Sequence, residues 1–528
     1  MTAVGLHDMD ANEIAQLIAD VLDIDKVAPE ETLFALGGDS LQAVRLAQRL
    51  SRRLGRRIPP GVVLSHPSAL QLAGQLALIA GAEPAAAPEP ESSPPADADL
   101  AGLSPLSAAQ RRVWILHEMR PDRADHVIRA SAAIRGQVDA RRFIATWVEV
   151  AARHHALRTR FVRRDRDILS TVDAVPARLV QYLDLVPVRD EARTALLRER
   201  IDRIRGPMNP ETGPLTRILL ARIAPQSYQL EMAIHHLVCD GWSTSILARD
   251  FLSLYIRKPL PAVTSYADYV QRESRDAAAQ HSAIEMLRDR LLPLPDELRF
   301  AEETRSASPD PAAGEIDLEA SRPISDAFIR ALSASRYTAL TFGLAALGIL
   351  IARLTGQEDF LVAVPLAGRT EPEHDDVVGL FVNTGIARVA IRGAANLADV
   401  LDYLQREVGI LLDHQSVPFD ALVNSVRSRR PDGTAPLARV AFAVQNYRRP
   451  PCPPAEAGFT WEFRELPEIE SKFDLGFTLA PSADQLRLLV TYRSALFTPD
   501  TVQRWADQYL SALSHVLAAT RDIIDTAC

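Results

Sequence analysis

A chain of 528 residues is too long for one core and predicts about three to four compact units. With 47% hydrophobic residues, 24% charged residues and a net charge of -9, it has the balance of a soluble globular protein and no basic field for a phosphate backbone, so no nucleic-acid partner is expected. The cysteines Cys239, Cys452 and Cys528 are odd in number and lack paired spacing, which argues against a disulfide framework or a cysteine zinc site and for a reducing cytoplasm. The N-terminus lacks a basic region followed by an apolar one. The longest apolar run, 339–352, is too short to span a bilayer, so it is read as a buried helix and no membrane partner is expected.

In chain order, Ile14, Leu17, Ile18, Val21 and Leu22 recur at helical spacing, as do Leu41, Val44, Leu46, Ala47, Leu50 and Leu54. A short segment at 62–65 and a helix over 70–79 complete an all-α four-helix bundle within 1–80. Ser40 follows Gly37-Gly38-Asp39 at the mouth of the second helix, where the helix dipole and unpaired N–H groups favour an added phosphate. From spacing alone, Ser40 also reads as an ordinary N-cap. Residues 81–102, rich in Pro, Ala and acid, read as a semi-rigid linker. Beyond them, helical patterns such as 141–154 alternate with strand-like runs at 218–223, 360–364 and 440–444, giving an α/β body. A polar, Pro-bearing segment at 297–322 divides it into lobes at 103–296 and 323–528.

The segment His235-His236-Leu237-Val238-Cys239-Asp240-Gly241 crowds two imidazoles, a carboxylate and a glycine at the end of a strand-like run, 229–234, with Gly241 expected to supply a turn. Three structural or chemical readings stand beside acid–base catalysis: a hydrogen-bonded core pair, a metal site with Asp240 as third ligand, and a nucleophilic Cys239 served by a histidine. Adjacent histidines on an extended chain face opposite ways, which argues against their chelating one ion, and the same alternation argues against Cys239. No metal is expected.

Val27-Ala-Pro-Glu-Glu-Thr-Leu-Phe-Ala-Leu-Gly-Gly-Asp-Ser40-Leu-Gln-Ala resembles the peptidyl carrier proteins of nonribosomal peptide synthetases, over about eighty residues. The remainder resembles the condensation domain of the same synthetases through seven motifs in order: Leu106 to Leu116, Arg153 to Phe161, His235 to Ser243, Tyr266-Ala-Asp268-Tyr269, Gly379 to Thr384, His414 to Asp420 and Pro436 to Phe442. The resemblance implies a two-lobed, chloramphenicol acetyltransferase-like fold with a tunnel between the lobes. It implies 4'-phosphopantetheine esterified to Ser40, carrying an aminoacyl or peptidyl thioester, and amide formation with the amine of an acceptor on a downstream carrier protein. His236 is the implied catalytic residue, as general base or as an orienting group. His235 is implied to be a packing residue, Gly241 to keep the tunnel open, Asp240 to pair with Arg158, and Asn383 and Thr384 to lie near the tunnel floor. Implied partners are a phosphopantetheinyl transferase and an adenylation domain, upstream or in trans.

Three positions depart from the family pattern. Asp39 before Ser40 is a form common in carriers serving epimerization domains, His155 stands where glutamate is usual, and Gly385 where a larger residue is usual. The alternatives carried forward are epimerization of a carrier-bound aminoacyl group, ester-forming condensation, and a non-catalytic carrier or docking module. The absence of a Glu-Gly-His-Gly-Arg-Glu-like motif argues against epimerization, and intact His236, Asp240 and Arg158 argue against the docking module. The basic cluster Arg52, Arg53, Arg56 and Arg57 reads either as a docking surface for a transferase or the next domain, or as a solvated helix end.

Overall fold

The computed structural model describes residues 9–80 and 102–527, apart from 166, 177, 276, 305–311, 428–435, 446–449, 467–468 and 483. The linker thus falls almost wholly outside the described residues.

The first unit consists of α1 (Ala11–Leu22), α2 (Ser40–Leu54), α3 (Pro60–Ser65) and α4 (Ala69–Ala80). Reciprocal capping starts its helices: Asp10 with Glu13 opens α1, and Asp39 with Gln42 opens α2, which stops at Gly55 in the left-handed conformation. The apolar stripes anticipated from spacing point inward, with Ile14, Ile18, Leu46 and Leu50 fully buried.

The α/β body runs β1 (Leu103–Pro105), α5 (Ala108–Met119), β2 (Val127–Gly136), α6 (Ala140–Arg153), β3 (Thr159–Arg164), β4 (Asp167–Val172), β5 (Val180–Asp184), α7 (Asp190–Arg205), β6 (Thr216–Ala224), β7 (Ser227–His235), α8 (Gly241–Tyr255), α9 (Tyr266–Arg275) and α10 (Ala277–Leu291). It continues through β8 (Ala313–Glu319), α11 (Arg322–Ala334), α12 (Ala339–Thr355), β9 (Asp359–Leu366), β10 (Asn383–Ala390), α13 (Leu397–Asp413), α14 (Phe419–Arg427), β11 (Val440–Val444), β12 (Phe459–Glu465), β13 (Leu475–Pro481), β14 (Leu486–Arg493) and α15 (Pro499–Ala527). Two sheets organise it: β12-β2-β7-β6-β5 in the first lobe and β10-β9-β11-β13-β14-β8 in the second, with a small β1-β4-β3 sheet beside the first. The apolar 339–352 run lies within α12, buried at nearly every position behind the second sheet. None of the described helices is long and apolar enough to cross a membrane.

The lobes are not the two sequential halves expected. Strand β12, from the segment assigned to the second lobe, crosses over and pairs antiparallel with β2, from Phe459 opposite Gly136 to Glu465 opposite Ala130. The reason is apolar: β12 alternates Phe459, Trp461 and Phe463, and Trp461 stacks 6.1 Å from Phe251 while Phe459 meets Tyr255 at 5.3 Å, both on α8 of the first lobe. The inter-lobe segment 297–322 is likewise not merely a connector, because β8 within it pairs with β14 at the edge of the second sheet.

The helical unit sits on the second lobe. Its buried apolar residues form one contact cluster with that lobe's core, α3 packs against α13, and α2 lies along the turn Pro372–His374. Arg52 pairs with Glu373, and the Arg57 guanidinium donates to the Asp413 carbonyl at 2.5 Å. The basic cluster at the end of α2 and just beyond it therefore contacts the second lobe through Arg52 and Arg57.

Candidate active site

Strand β7 ends at His235, and the chain then closes a 3-10 turn, His236–Val238, in place of the continued extended strand assumed from the sequence. That turn brings the Cys239 carbonyl to 2.8 Å from His236 Nδ1. A carbonyl only accepts, so Nδ1 carries a proton, and the tautomer this bond selects has Nε2 as its acceptor nitrogen. The His236 backbone is anchored separately, its N–H donating to the His126 carbonyl at 2.7 Å.

His235 takes the opposite tautomer. Its Nδ1 accepts the Leu237 N–H at 3.1 Å, which puts the ring proton on Nε2. It is 1% exposed and packs edge-on to His117 at 5.4 Å, near His126. Burial, then the neighbouring imidazoles, hold His235 well below the usual histidine range, so it is a neutral packing group. His236, only partly buried, is the imidazole of the pair that reaches the surface of the site. Cys239 is fully buried with its thiol directed at the Asp240 carbonyl, 3.4 Å away, unsuited to act as a nucleophile.

Asp240 is the N-cap of α8, and its carboxylate is the most heavily tied group of the site. Oδ1 accepts from the Ser243 N–H at 2.8 Å and the Ser243 hydroxyl at 2.7 Å, and Oδ2 from the Phe381 N–H at 3.0 Å. The ionic partner is Arg369, whose Nη2 lies 3.2 Å from Oδ1 and 3.4 Å from Oδ2. This corrects the pairing with Arg158. Arg158 instead donates to the carbonyls of Ala151, Asp173 and Ala152, tying the end of α6 to the loop after β4. The geometric reason is that Asp240 faces the second lobe, where Arg369 follows β9. With Asp240 committed to Arg369, Ser243 and Phe381, it is not a third ligand to the histidines. Among the described residues there is no cluster of three His, Cys, Asp or Glu suited to a metal.

Arg369 is 2% exposed. Its Nη1 donates to the carbonyls of His374 at 2.5 Å and Val377 at 2.8 Å, and its guanidinium lies 4.0 Å from the Phe381 ring centroid. Single-sequence reasoning missed this residue. The only available signal was a buried-type carboxylate requiring a cation, and many arginines satisfy that condition.

The motif segments converge on this loop. Gln110 of α5 donates to the Leu237 carbonyl at 2.9 Å, and Ser107 bonds to the Tyr266 hydroxyl at 2.9 Å, which in turn donates to the Leu380 carbonyl. Gly379 is required there: a Cβ would stand 2.1 Å from the Tyr266 ring. The second motif acts through a different acid. His154 Nε2 lies 2.9 Å and Arg153 Nε 2.8 Å from buried Asp250, bracing α8 from behind. Burial raises the Asp250 carboxyl, but hydrogen bonding from His154 and the Arg249 charge outweigh it and hold the group down at about 2. His155 is exposed beside this brace, with a pKa lowered by what burial it has and by Arg158.

Gly241, expected to make a turn, is instead the first residue of α8, without left-handed backbone, its carbonyl accepting the Thr244 hydroxyl at 2.6 Å. Asn383 and Thr384 open β10. Asn383 holds the turn after α13 through the Gln415 and Val417 carbonyls, and Thr384 lies 3.5 Å from Arg112. Both line a cavity with Gly385, Leu366, His414 and Leu422.

Ser40 lies far along the chain, as the first residue of α2. Asp39 is the cap, accepting from the N–H groups of Leu41 at 2.8 Å and Gln42 at 3.1 Å, which removes the N-cap reading of the serine. The Ser40 side chain is part-exposed at the start of this 15-residue helix, and because Asp39 takes the Leu41 and Gln42 N–H groups, those donors are not left unpaired for a phosphate as the sequence suggested. A primary hydroxyl in that position fits a phosphodiester.

Comparison with known proteins agrees with this layout. A model of the condensation domain matches residues 101–527, and one of the phosphopantetheine attachment site matches 12–76. Tyrocidine synthase 3 of Brevibacillus parabrevis is 28% identical over 95% of the chain, and phosphinothricin tripeptide synthetase PhsB of Streptomyces viridochromogenes is 28% identical over 98%. The chain spans only 8% of the first of these relatives and 44% of the second. Among solved structures, the four-domain nonribosomal peptide synthetase holo-AB3403, bound to AMP and glycine, superposes with a TM-score of 0.68 at 18% identity, over 79% of this chain and 33% of that one. The starter condensation domain of rhizomide synthetase RzmA, as a mutant with C8-CoA and Leu-SNAC, gives 0.66 at 21% identity, over 80% and 95%.

Proposed function

The chain belongs to the condensation-domain family, and from that premise we propose that it forms amide bonds in nonribosomal peptide synthesis, as an acyltransferase acting on a donor carried by its own helical unit. The observation that carries this reading is the opposed tautomers of His235 and His236: the Cys239 carbonyl holds the part-exposed His236 ring with Nε2 as its acceptor nitrogen, while His235 is buried and turned the other way. A phosphopantetheine on Ser40 supplies, when bound, a thiol that holds the donor acyl group as a thioester.

In this reading His236 Nε2 would receive the proton of the acceptor amine as nitrogen bonds to the acyl carbon, and would return it to the thiolate leaving group that a phosphopantetheine on Ser40 would supply. The same lone pair orients the amine before attack. Asp240 touches no substrate. With Arg369 it pins the first-lobe loop to the second lobe, so that His236 keeps its aim. Asn383 and Thr384 line the acceptor or donor path, and Gly241 leaves the entrance to α8 without a side chain. The expected partners are a phosphopantetheinyl transferase, an adenylation domain upstream or in trans, and a downstream acceptor carrier, in the cytoplasm.

The test begins with intact mass of the chain and of Ser40→Ala after incubation with coenzyme A and a promiscuous transferase, with one phosphopantetheine gained by the parent only. Aminoacyl-coenzyme A analogues, in place of coenzyme A, load a separate portion of unmodified parent, and soluble aminoacyl thioesters and hydroxyacyl thioesters are offered as acceptors. Amide product in the parent and not in His236→Ala is the expected result. Product undiminished in His236→Ala would refute the role of that residue, and product from hydroxyl acceptors alone would reassign the reaction to ester formation.

A further inference from the structure

The contact between the helical unit and the second lobe reaches beyond surface ion pairs to the residue that holds Asp240. Gln48, on α2 and 9% exposed, donates from Nε2 to the backbone carbonyl of Arg369 at 2.9 Å. One turn earlier, the Arg45 guanidinium lies 5.3 Å from the Trp242 ring centroid, with Nε 3.0 Å from Asp375. Trp242 stands two residues after Asp240, donates from its indole N–H to the Asp375 carbonyl at 3.0 Å, and has the Arg369 guanidinium 5.4 Å from its ring. The indole thus lies within cation–π reach of two guanidinium groups, one from the helical unit and one from the Asp240 pair.

We propose that the seated helical unit is a working part of the candidate active site: Gln48 and Arg45 brace Arg369 and Trp242, so that seating of the carrier and order of the 236–243 loop rise and fall together. These two side chains are positioning residues, acting through Arg369 and Asp240. The functional consequence rests on the condensation reading, because a loop that tightens only when its own carrier is seated restricts His236 to the moment a donor is delivered. The coupling itself is a physical property of the chain.

Three features support a made surface. Its charges are complementary, with Arg45, Arg52 and Arg57 on the helical unit facing Asp375, Glu373 and the C-terminal carbonyl of α13. Its fit is close: the Gly61 N–H donates to Asp413 Oδ1 at 2.7 Å, a Cβ on Gly61 would stand 2.8 Å from Asp413 Oδ2, and a Cβ on Gly409 of α13 would stand 3.5 Å from the Gly61 Cα. Its inner edge is hydrogen-bonded, since the Arg369 carbonyl, on a residue almost wholly buried, takes its bond from Gln48. Linkage makes the coupling reciprocal: what seating contributes to the Asp240–Arg369 pair, the pair contributes to seating.

The test is hydrogen exchange by mass spectrometry on the whole chain without substrate, following peptides over 240–245 and 377–383, which contain the Ser243 and Phe381 amides bonded to Asp240. Gln48→Ala and Glu373→Arg are each expected to speed exchange in both peptides by roughly tenfold, a scale typical of local opening. Arg52→Glu combined with Glu373→Arg is expected to restore the parent rate. Unchanged exchange in both peptides, whether or not the peptide containing Gly61 opens, overturns the proposal. Should Gln48→Ala unfold the helical unit, seen as fast exchange throughout α2, the Glu373→Arg pair decides, because Glu373 lies outside that unit. Exchange is read without turnover, so coupling without amide formation would defeat only the condensation reading, and amide formation without coupling only this inference.

Discussion

Replacing Arg369 with methionine keeps most of the side-chain volume and removes the cation. Asp240 would then remain 2% exposed with no ionic partner, although the Ser243 N–H and hydroxyl and the Phe381 N–H still reach it. Breaking one side of a buried pair costs about 3–5 kcal/mol, and the three surviving donors place Asp240 toward the low end of that range. The lost donations to the His374 and Val377 carbonyls add roughly 1 kcal/mol each, giving about 4–5 kcal/mol for the variant. Arg158→Met loses only bonds to three carbonyls at a part-exposed position and is expected to cost roughly 1–2 kcal/mol. Urea unfolding followed by tryptophan fluorescence measures both. Combining each with Asp240→Asn then separates the alternatives: the Asp240–Arg369 cycle should show a coupling of about 2 kcal/mol or more, and the Asp240–Arg158 cycle should be additive within about 0.5 kcal/mol. A larger coupling to Arg158 than to Arg369 would refute the assignment.

Acid should loosen the same region. Burial, with Arg272 and Arg369 nearby, lowers the His374 pKa to about 4, so the native state holds the ring neutral while the unfolded chain protonates near 6.5. Its contribution is complete above pH 6.5 and is lost as pH falls toward 4, by about 2–3 kcal/mol, a slope that buried His117 and His235 share in direction. His374→Phe, which keeps the ring contacts to Tyr269 and Phe381, should flatten that part of a stability–pH curve measured by thermal unfolding. Gly379→Ala forces a methyl to 2.1 Å from the Tyr266 ring and should destabilise by about 2–3 kcal/mol, while Tyr266→Ala combined with it should recover part of that loss. Gly385→Ala meets only the mobile ends of Leu411 and Leu366, at 2.7 and 2.9 Å, and should cost about 1 kcal/mol while narrowing the cavity beside Thr384, read as a change in acceptor preference with little change in unfolding. With the Asp250 carboxylate held at about 2, its contribution is present above pH 3.8 and is lost as pH falls toward 2, so Asp250→Asn should flatten that part of an acid-unfolding curve.

Local chemistry was legible from residue order alone. The helical stripes of the first unit, the strand ending at His235, the buried run in α12 and the serine at the mouth of α2 all follow from periodicity and capping, which act over a few residues. The seven motif segments could also be recognised, and the fold assembles most of them around one loop. Other features could not be read that way. The exchange of Arg158 for Arg369, the passage of β12 into the first lobe and the seating of α2 against Arg369 each join residues distant along the chain, while the local turn at His236 replaced the extended strand that alternation suggested. A carboxylate in sequence calls for a cation, and an alternating aromatic strand calls for an apolar partner. Which of many candidates answers is decided by burial, because only the packed lobes remove the competing water and leave one partner within reach.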